Sequence, residues 1–372
     1  MKKLMLFIFI SSLAITSIAD SNQSIVISGS LLIDGTGKDP IKNGMVVINE
    51  GKIVGVGSNL KIPDGSKVIE IKDGTILPGF FNAHVHEAYD EKLLQAWARE
   101  GVTTVRDMAF NPPHSCYEKR NKLNKDPFNS RLVAAGEPLS GGYISKYAPV
   151  LIITTEEEAR KEANRAFDEG ADLLKLMIDS NFNNELMPIP VGKTLVRIAQ
   201  ERGKRVTAHI AISRDIQPAI NMGIKEFAHM VWDPIPPELI SKIVEAEIYI
   251  TPTIEVMQIW GAELYVIENL RKFVAAGGQV VLGTDFAPQF KSELGMPLKE
   301  ILFMQETGMT PMQIIVAGTK NASVVCNLES VLGTLEGGKI ADVLVVEGNP
   351  LEDLRNLKKT KLVIKGGEVI RK

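Results

Sequence analysis

Between residues 76 and 285 the chain alternates short apolar runs with longer stretches of mixed polarity at helical period, and this alternation restricts the fold more than any other feature. Strand-length apolar runs separated by helical segments build a parallel sheet from βα units. Eight strands are predicted, over residues 76–86, 103–108, 131–136, 173–178, 205–210, 226–230, 248–253 and 279–285. Helices are predicted between them, among others over 155–169, 192–202, 236–246 and 264–276. Eight such units ending near Cys326 match the roughly 250 residues of a (β/α)8 barrel. The expected fold class is α/β, with a TIM barrel over residues 76–326.

The flanks have a different texture. Residues 24–71 hold short β-rich runs separated by Gly-Lys and Asp-Gly turns, and the tail from 341 to 370 repeats that style. Residues 20–75 and 327–372 together predict one small β-domain. Residues 1–19 open with Lys2 and Lys3, continue through an apolar run and end in Ser17-Ile18-Ala19, the pattern of a cleaved secretory signal. Export, to a periplasm or to the medium, is the expectation. No later segment has the length and apolarity of a membrane span, so no stable membrane insertion is expected after cleavage.

The net charge is −3 at pH 7, and more negative once both signal lysines are removed, which disfavours nucleic acid as a partner. A small-molecule substrate and a homo-oligomer are the expected associations. Cys116 and Cys326 are the only cysteines, too few for a disulfide framework, and whether they pair stays open. Neither has a histidine at a spacing that suggests catalysis.

Six metal-binding residues close the predicted strands or sit within them: His84, His86, Lys175, His209, His229 and Asp285. Four of the five histidines belong to this set. His84 and His86 are two residues apart on one strand and project from the same face, where both imidazoles can grip one metal. In a barrel of this kind the functional groups sit at the C-terminal ends of the strands. Lys175 lies in the apolar run Leu173-Leu174-Lys175-Leu176-Met177-Ile178, where burial lowers an amine pKa. A neutral amine can take up carbon dioxide as a carbamate, a two-oxygen ligand able to bridge two metals. The alternative for this lysine is pairing with a carboxylate such as Asp179 or simply facing solvent. Asp285 ends Gly283-Thr284-Asp285, where its carboxylate is placed to be the general base.

These residues, with Leu77-Pro78-Gly79-Phe80-Phe81-Asn82-Ala83-His84-Val85-His86, Gly101-Val102-Thr103-Thr104-Val105-Arg106-Asp107, Ala208-His209, Ala228-His229, Gly283-Thr284-Asp285 and Gly338-Lys339-Ile340-Ala341-Asp342, resemble the amidohydrolase superfamily. The closest likeness is to its imidazolonepropionase-like and Xaa-Pro dipeptidase-like branch. The resemblance implies a (β/α)8 barrel with a composite β-sandwich over residues 20–75 and 327–372, and metal-assisted hydrolysis of amide or ester bonds. It further implies that His84, His86 and Asp285 hold one metal, that His209 and His229 hold a second, and that carboxylated Lys175 bridges them. Zinc is the first choice for imidazole and carboxylate ligands, with manganese, iron or cobalt as alternatives, and the site is mononuclear if Lys175 stays an amine.

Two departures narrow the activity. Ile212 stands where ring deaminases of this kind often carry glutamate, which argues against ring deamination. Gly141-Gly142-Tyr143 stands where related dipeptidases often place a histidine after the glycine pair, so peptide specificity does not transfer. Tyr143 and Trp232 are candidate substrate-binding residues. His114 reads as a surface-loop histidine rather than a substrate contact, Tyr147 as either an oxyanion donor or packing, Glu255 as a candidate to bind a substrate amine, and Met296 as packing. Arg106 and Asp107 are expected to pair with each other or brace the barrel. The expected activity is hydrolysis of a C–N bond in a small amide, cyclic amide or dipeptide-like substrate by a metal-bound hydroxide. The alternatives are a metal-dependent lyase or decarboxylase and a non-catalytic binding barrel.

Overall fold

Both ends of the chain meet in one eight-stranded sheet. Its order runs Glu368–Arg371, Thr360–Lys365, Val343–Glu347, Lys67–Pro78, Ile25–Leu32, Gly44–Asn49, Lys52–Ser58, with Ile41–Lys42 paired to Ile25–Leu32 outside this path. The computed structural model describes residues 23–108, 115–142, 149–181, 185–290 and 292–372. The predicted signal segment, His114, Tyr143 and Tyr147 lie outside the described residues.

Side chains alternate across a strand with period two, and in Val343–Glu347 both faces are apolar. Val343 and Val345 join a core with Ile27, Ile48, Ile76 and Ile364. Leu344 and Val346 face the opposite way, into the main core of the molecule with Leu77 and Val363. A strand buried on both faces carries a continuous apolar run, as Val343-Leu344-Val345-Val346 does.

The chain leaves this sheet at Gly79. Gly79 N–H still bonds to Asp342 O, whereas Phe80 N–H bonds to Gly101 O of the next sheet. The predicted strand 76–86 is therefore two strands, Lys67–Pro78 and Phe80–Val85. Phe80–Val85, Val102–Asp107 and Arg131–Ala134 form a parallel three-stranded sheet. A second parallel sheet has the order Leu151–Ile152, Leu139–Ser140, Leu173–Ile178, Arg205–Ile210, Glu226–Ala228, Tyr249–Thr251, Gln279–Val280. The prediction of parallel βα units holds, but the pairing is shared between two sheets, and Leu139–Ser140 and Leu151–Ile152 are strands the sequence reading lacks. Backbone hydrogen bonds nevertheless carry the far edge back to the first strand. Ala83 N–H donates to Leu282 O at 2.9 Å, Asp285 N–H to His84 O at 2.9 Å, and His86 N–H to Phe286 O at 2.7 Å.

Three predicted strands end early, and each is followed by a residue in left-handed backbone. Strand 226–230 stops at Ala228 because His229 has φ +86°, strand 248–253 stops at Thr251 before Pro252 and Thr253 at φ +52°, and strand 279–285 keeps ladder pairing only over Gln279–Val280, with Asp285 at φ +55°. Left-handed backbone at non-glycine residues is uncommon and gathers where surrounding structure over-determines it.

The helices follow their predicted periods closely. Glu156–Glu169 buries Ala159, Ala163 and Phe167, one face at a spacing of four. Thr155 and Glu158 cap its start reciprocally, and Gly170 at φ +113° ends it. Ile189–Glu201, Pro237–Glu245 and Glu263–Ala275 lie within a few residues of the predicted spans.

Gly283 controls how closely the last parallel segment approaches the first. A Cβ there would lie 2.5 Å from Thr251 Cγ2 and 2.9 Å from both Cβ and N of His84. Gly283→Ala is expected to cost about 1–3 kcal/mol through overpacking, read as a lower urea midpoint. A variant with an unchanged midpoint would mean that this approach is not tight.

Candidate active site

The register of the parallel strands gathers the predicted residues. Lys175 pairs with Thr207 and Met177 with His209, so His209 stands one alternate position further along the same face as Lys175. His209 pairs in turn with Ala228, which brings His229 to the same end. His84 comes from Phe80–Val85, His86 follows it directly, and Asp285 is tied to His84 O by its own backbone N–H. Asn82 reinforces that tie: its Nδ2 donates to Thr284 Oγ1 at 2.9 Å, and its Oδ1 accepts Thr284 N–H at 3.2 Å.

At the centre, Asp285 Oδ1 lies 2.7 Å from His86 Nε2 and 3.2 Å from His84 Nε2. The two imidazole Nε2 atoms are 3.2 Å apart. These three residues each offer a ligand atom, all within 4.8 Å of one another. The His229 ring stands 4.8 Å from that of His84 and 4.7 Å from that of His209, centroid to centroid. All four histidines thus form one continuous cluster, in which His229 is the middle member.

Burial sets the protonation states. It pushes the His84 imidazole down to about 3, with Lys175 and His86 acting in the same direction and Asp285 against it. It also takes His229 well below the ordinary histidine value. Burial works to raise the Asp285 carboxyl, yet His84 and His86 hold it well below the usual range. Neutral imidazoles and an ionised carboxylate are the forms a divalent metal takes. Lys175 is brought down to about 8 by burial, against the pull of Asp285 and Glu226. Among the described residues its Nζ has no hydrogen-bond partner, and neither has His84 Nδ1. An orphaned buried amine beside three imidazoles and a carboxylate fits a group that completes a metal site.

Asp179 is not the partner of Lys175. It faces His209 instead, with Oδ2 3.7 Å from Nε2, and that ring holds the Asp179 carboxyl below its usual range against the effect of burial. The pairing considered for Arg106 and Asp107 also does not occur. Arg106 is fully buried and forms a two-pronged ion pair with Glu226, while donating through Nε to Ala83 O at 2.7 Å and through Nη1 to Val325 O at 2.9 Å. Asp107 accepts Ala88 N–H at 2.9 Å.

A cavity of about 220 Å³ adjoins the cluster, with His86, Lys175, His209, His229 and Asp285 on one side. Its opposite wall is apolar and includes Trp232, Trp260, Met177, Met257 and Phe290. Trp232 is thus where sequence reasoning places it. Glu255 is not in this wall: its carboxylate accepts Glu293 N–H at 3.1 Å. Met296 is fully buried packing. Cys116 and Cys326 are buried and unpaired, and burial pushes the Cys326 thiol up to about 12, far from a nucleophilic form.

One contact that sequence reasoning missed is Thr253, whose Oγ1 lies 2.8 Å from His229 Nδ1. Its signal was present, a polar residue closing an apolar strand, the same cue that marks His209 and Asp285.

Comparison with known proteins agrees with this arrangement. A family model described as "Amidohydrolase family" matches residues 75–370. Ochratoxinase of Aspergillus niger is 26% identical over an alignment covering 96% of this chain and 89% of that one. Imidazolonepropionase of Bdellovibrio bacteriovorus is 22% identical, over 82% of this chain and 83% of its own. Among solved structures, a Xaa-Pro dipeptidase with methionine in its active site superposes with a TM-score of 0.83 at 22% identity, covering 94% of this chain and 100% of that one, a likeness of fold. The matched stretch holds every member of the cluster and most of both cores, and on that match the chain belongs to the amidohydrolase family.

Proposed function

We propose that this protein is a metal-dependent hydrolase that cleaves a C–N amide bond in a small substrate carrying an apolar group. The observation that carries the reading is the convergence of His84, His86 and Asp285, with ligand atoms within 4.8 Å, beside a cavity also lined by Lys175, His209 and His229. The names ochratoxinase and imidazolonepropionase are compatible with it. In this reading the parallel strands act as a (β/α)8 barrel over residues 76–326, residues 20–75 and 327–372 form the composite β-domain, and residues 1–19 direct export.

His84, His86 and Asp285 would hold one metal, His209 and His229 a second, and Lys175 as a carbamate would bridge them. Zinc suits the imidazole and carboxylate donors. A bound divalent metal lowers the pKa of coordinated water from 15.7 to about 7 and polarises a carbonyl oxygen. The chain supplies the rest. Neutral His84 and His229 offer lone pairs without first losing a proton. Asp285, ionised within the cluster, accepts the proton of the attacking water and passes it to the leaving nitrogen. Trp232, Met257 and Phe290 exclude water from the acyl side and seat an apolar substituent.

The test is metal content after purification without chelators from cells supplied with bicarbonate, measured by elemental analysis for the wild type and for Lys175→Ala. About two metals per chain in the wild type, falling to one or fewer in the variant, is the expected result. No retained metal after remetallation would overturn the reading. Apolar N-acyl amines and cyclic amides are the first substrates to assay, by release of amine.

A further inference from the structure

Thr253 occupies the N-cap position of the short helix Ile254–Met257, yet its side chain makes no capping hydrogen bond. A threonine there ordinarily turns its hydroxyl inward to accept a backbone N–H of the first turn. Here that hydroxyl lies 2.8 Å from His229 Nδ1 instead. The first two amides of this turn, among them the N2 amide that a capping threonine would take, are held by another residue. Glu300, on helix Leu298–Glu306, accepts Ile254 N–H through Oε1 at 2.8 Å and Glu255 N–H through Oε2 at 2.7 Å.

Glu300 is fully buried, and burial pushes its carboxyl up to about 8 while the two backbone donors pull the other way. A group that only filled space at this position would be apolar. The two carboxylate oxygens instead match two successive backbone donors, and the turn they grip is the one whose first residue, Thr253, is held at φ +52°.

We propose that Glu300 is a positioning residue for His229: by capping the helix in place of Thr253, it releases the Thr253 hydroxyl to fix the His229 ring through Nδ1 and leaves Nε2 as the ligand atom. The inference rests on the reading of His229 as a metal ligand. Groups that orient a ligating histidine typically change metal affinity by about 10–100-fold when removed. Glu300→Gln keeps the shape of the side chain but turns an NH2 group toward one of the two amides, which breaks the clamp.

The experiment compares the wild type, Glu300→Gln, Thr253→Val and the double variant, with zinc affinity from chelator competition and 15N NMR of the His229 ring in metal-free protein. Leu335→Ala, in the terminal core, serves as a destabilised control. Each single variant is expected to weaken zinc binding by about 10–100-fold, and the double variant to be no weaker than the poorer single one, because both changes cut the same path. The His229 ring should hold one tautomer in the wild type and a mixture in Glu300→Gln, with the control unchanged in both readouts. Multiplicative losses in the double variant, or wild-type affinity in Glu300→Gln, would overturn the proposal. A wild type without zinc affinity sinks the hydrolase reading separately; an unchanged ring spectrum in Glu300→Gln then overturns this one as well.

Discussion

Asp285→Asn is expected to lower kcat by about two to four orders of magnitude, the range associated with a positioned general base. Asparagine fills the same space but carries no charge and accepts no proton at the amide nitrogen. The change also removes the one carboxylate that faces both His84 Nε2 and His86 Nε2, at 3.2 and 2.7 Å. Steady-state kinetics and elemental analysis on the same preparation separate the two roles. Loss of turnover with metal retained assigns the proton transfer to Asp285, and loss of both assigns it chiefly to metal binding. A variant with wild-type kcat would exclude Asp285 from the reaction.

Arg106→Met is expected to be the most destabilising single change in the interior, by about 3–5 kcal/mol, because it leaves the Glu226 carboxylate buried without its counter-charge. Both members of the pair are nearly inaccessible, at 0% and 2% side-chain exposure, so solvent does little to screen the loss. Arg106 also donates to Ala83 O, immediately before His84, so the same change loosens the strand that carries the paired histidines. The double variant Arg106→Met, Glu226→Met is expected to recover most of the loss, since removing both charges removes the desolvation penalty. Urea midpoints for the three proteins test this. A single variant within about 1 kcal/mol of the wild type would show that the pair does not brace the interior.

Much of the site was legible in the sequence because it obeys a local rule. His84, His209, His229 and Asp285 each follow or close an apolar run, and the period-two geometry of strands brings such residues to one face. Trp232 was legible by position alone, in the loop just beyond His229. The strand ends were not legible, because nothing local announces that His229, Thr253 and Asp285 adopt left-handed backbone. The split at Gly79 did carry a local mark, the Pro78-Gly79 pair that interrupts the apolar run, but that pair does not say that the chain changes sheets, which only the change of hydrogen-bond partner from Asp342 to Gly101 shows. The partners of Arg106 and Glu300 are distant in sequence, Glu226 and the turn after Thr253, and pairings of that range leave no periodic trace. Asp179, only four residues beyond Lys175 in sequence, is set by the fold against His209 on the neighbouring strand.

The position of Lys67–Pro78 in the terminal sheet has a consequence for the order in which the molecule can form. This strand lies between Ile25–Leu32 and Val343–Glu347, and after Gly79 it becomes the strand that carries His84. During synthesis, one of its two neighbours is already present and the other emerges only after the whole run of parallel strands has been made. Until then the edge beside Leu77 and Ile76 stays open, and the root of the His84 strand lacks its second clamp. Such late, long-range closure slows folding and leaves an unpaired edge exposed during the wait. The ribosome must therefore deliver residues 343–347 before the His84 strand is anchored on both sides.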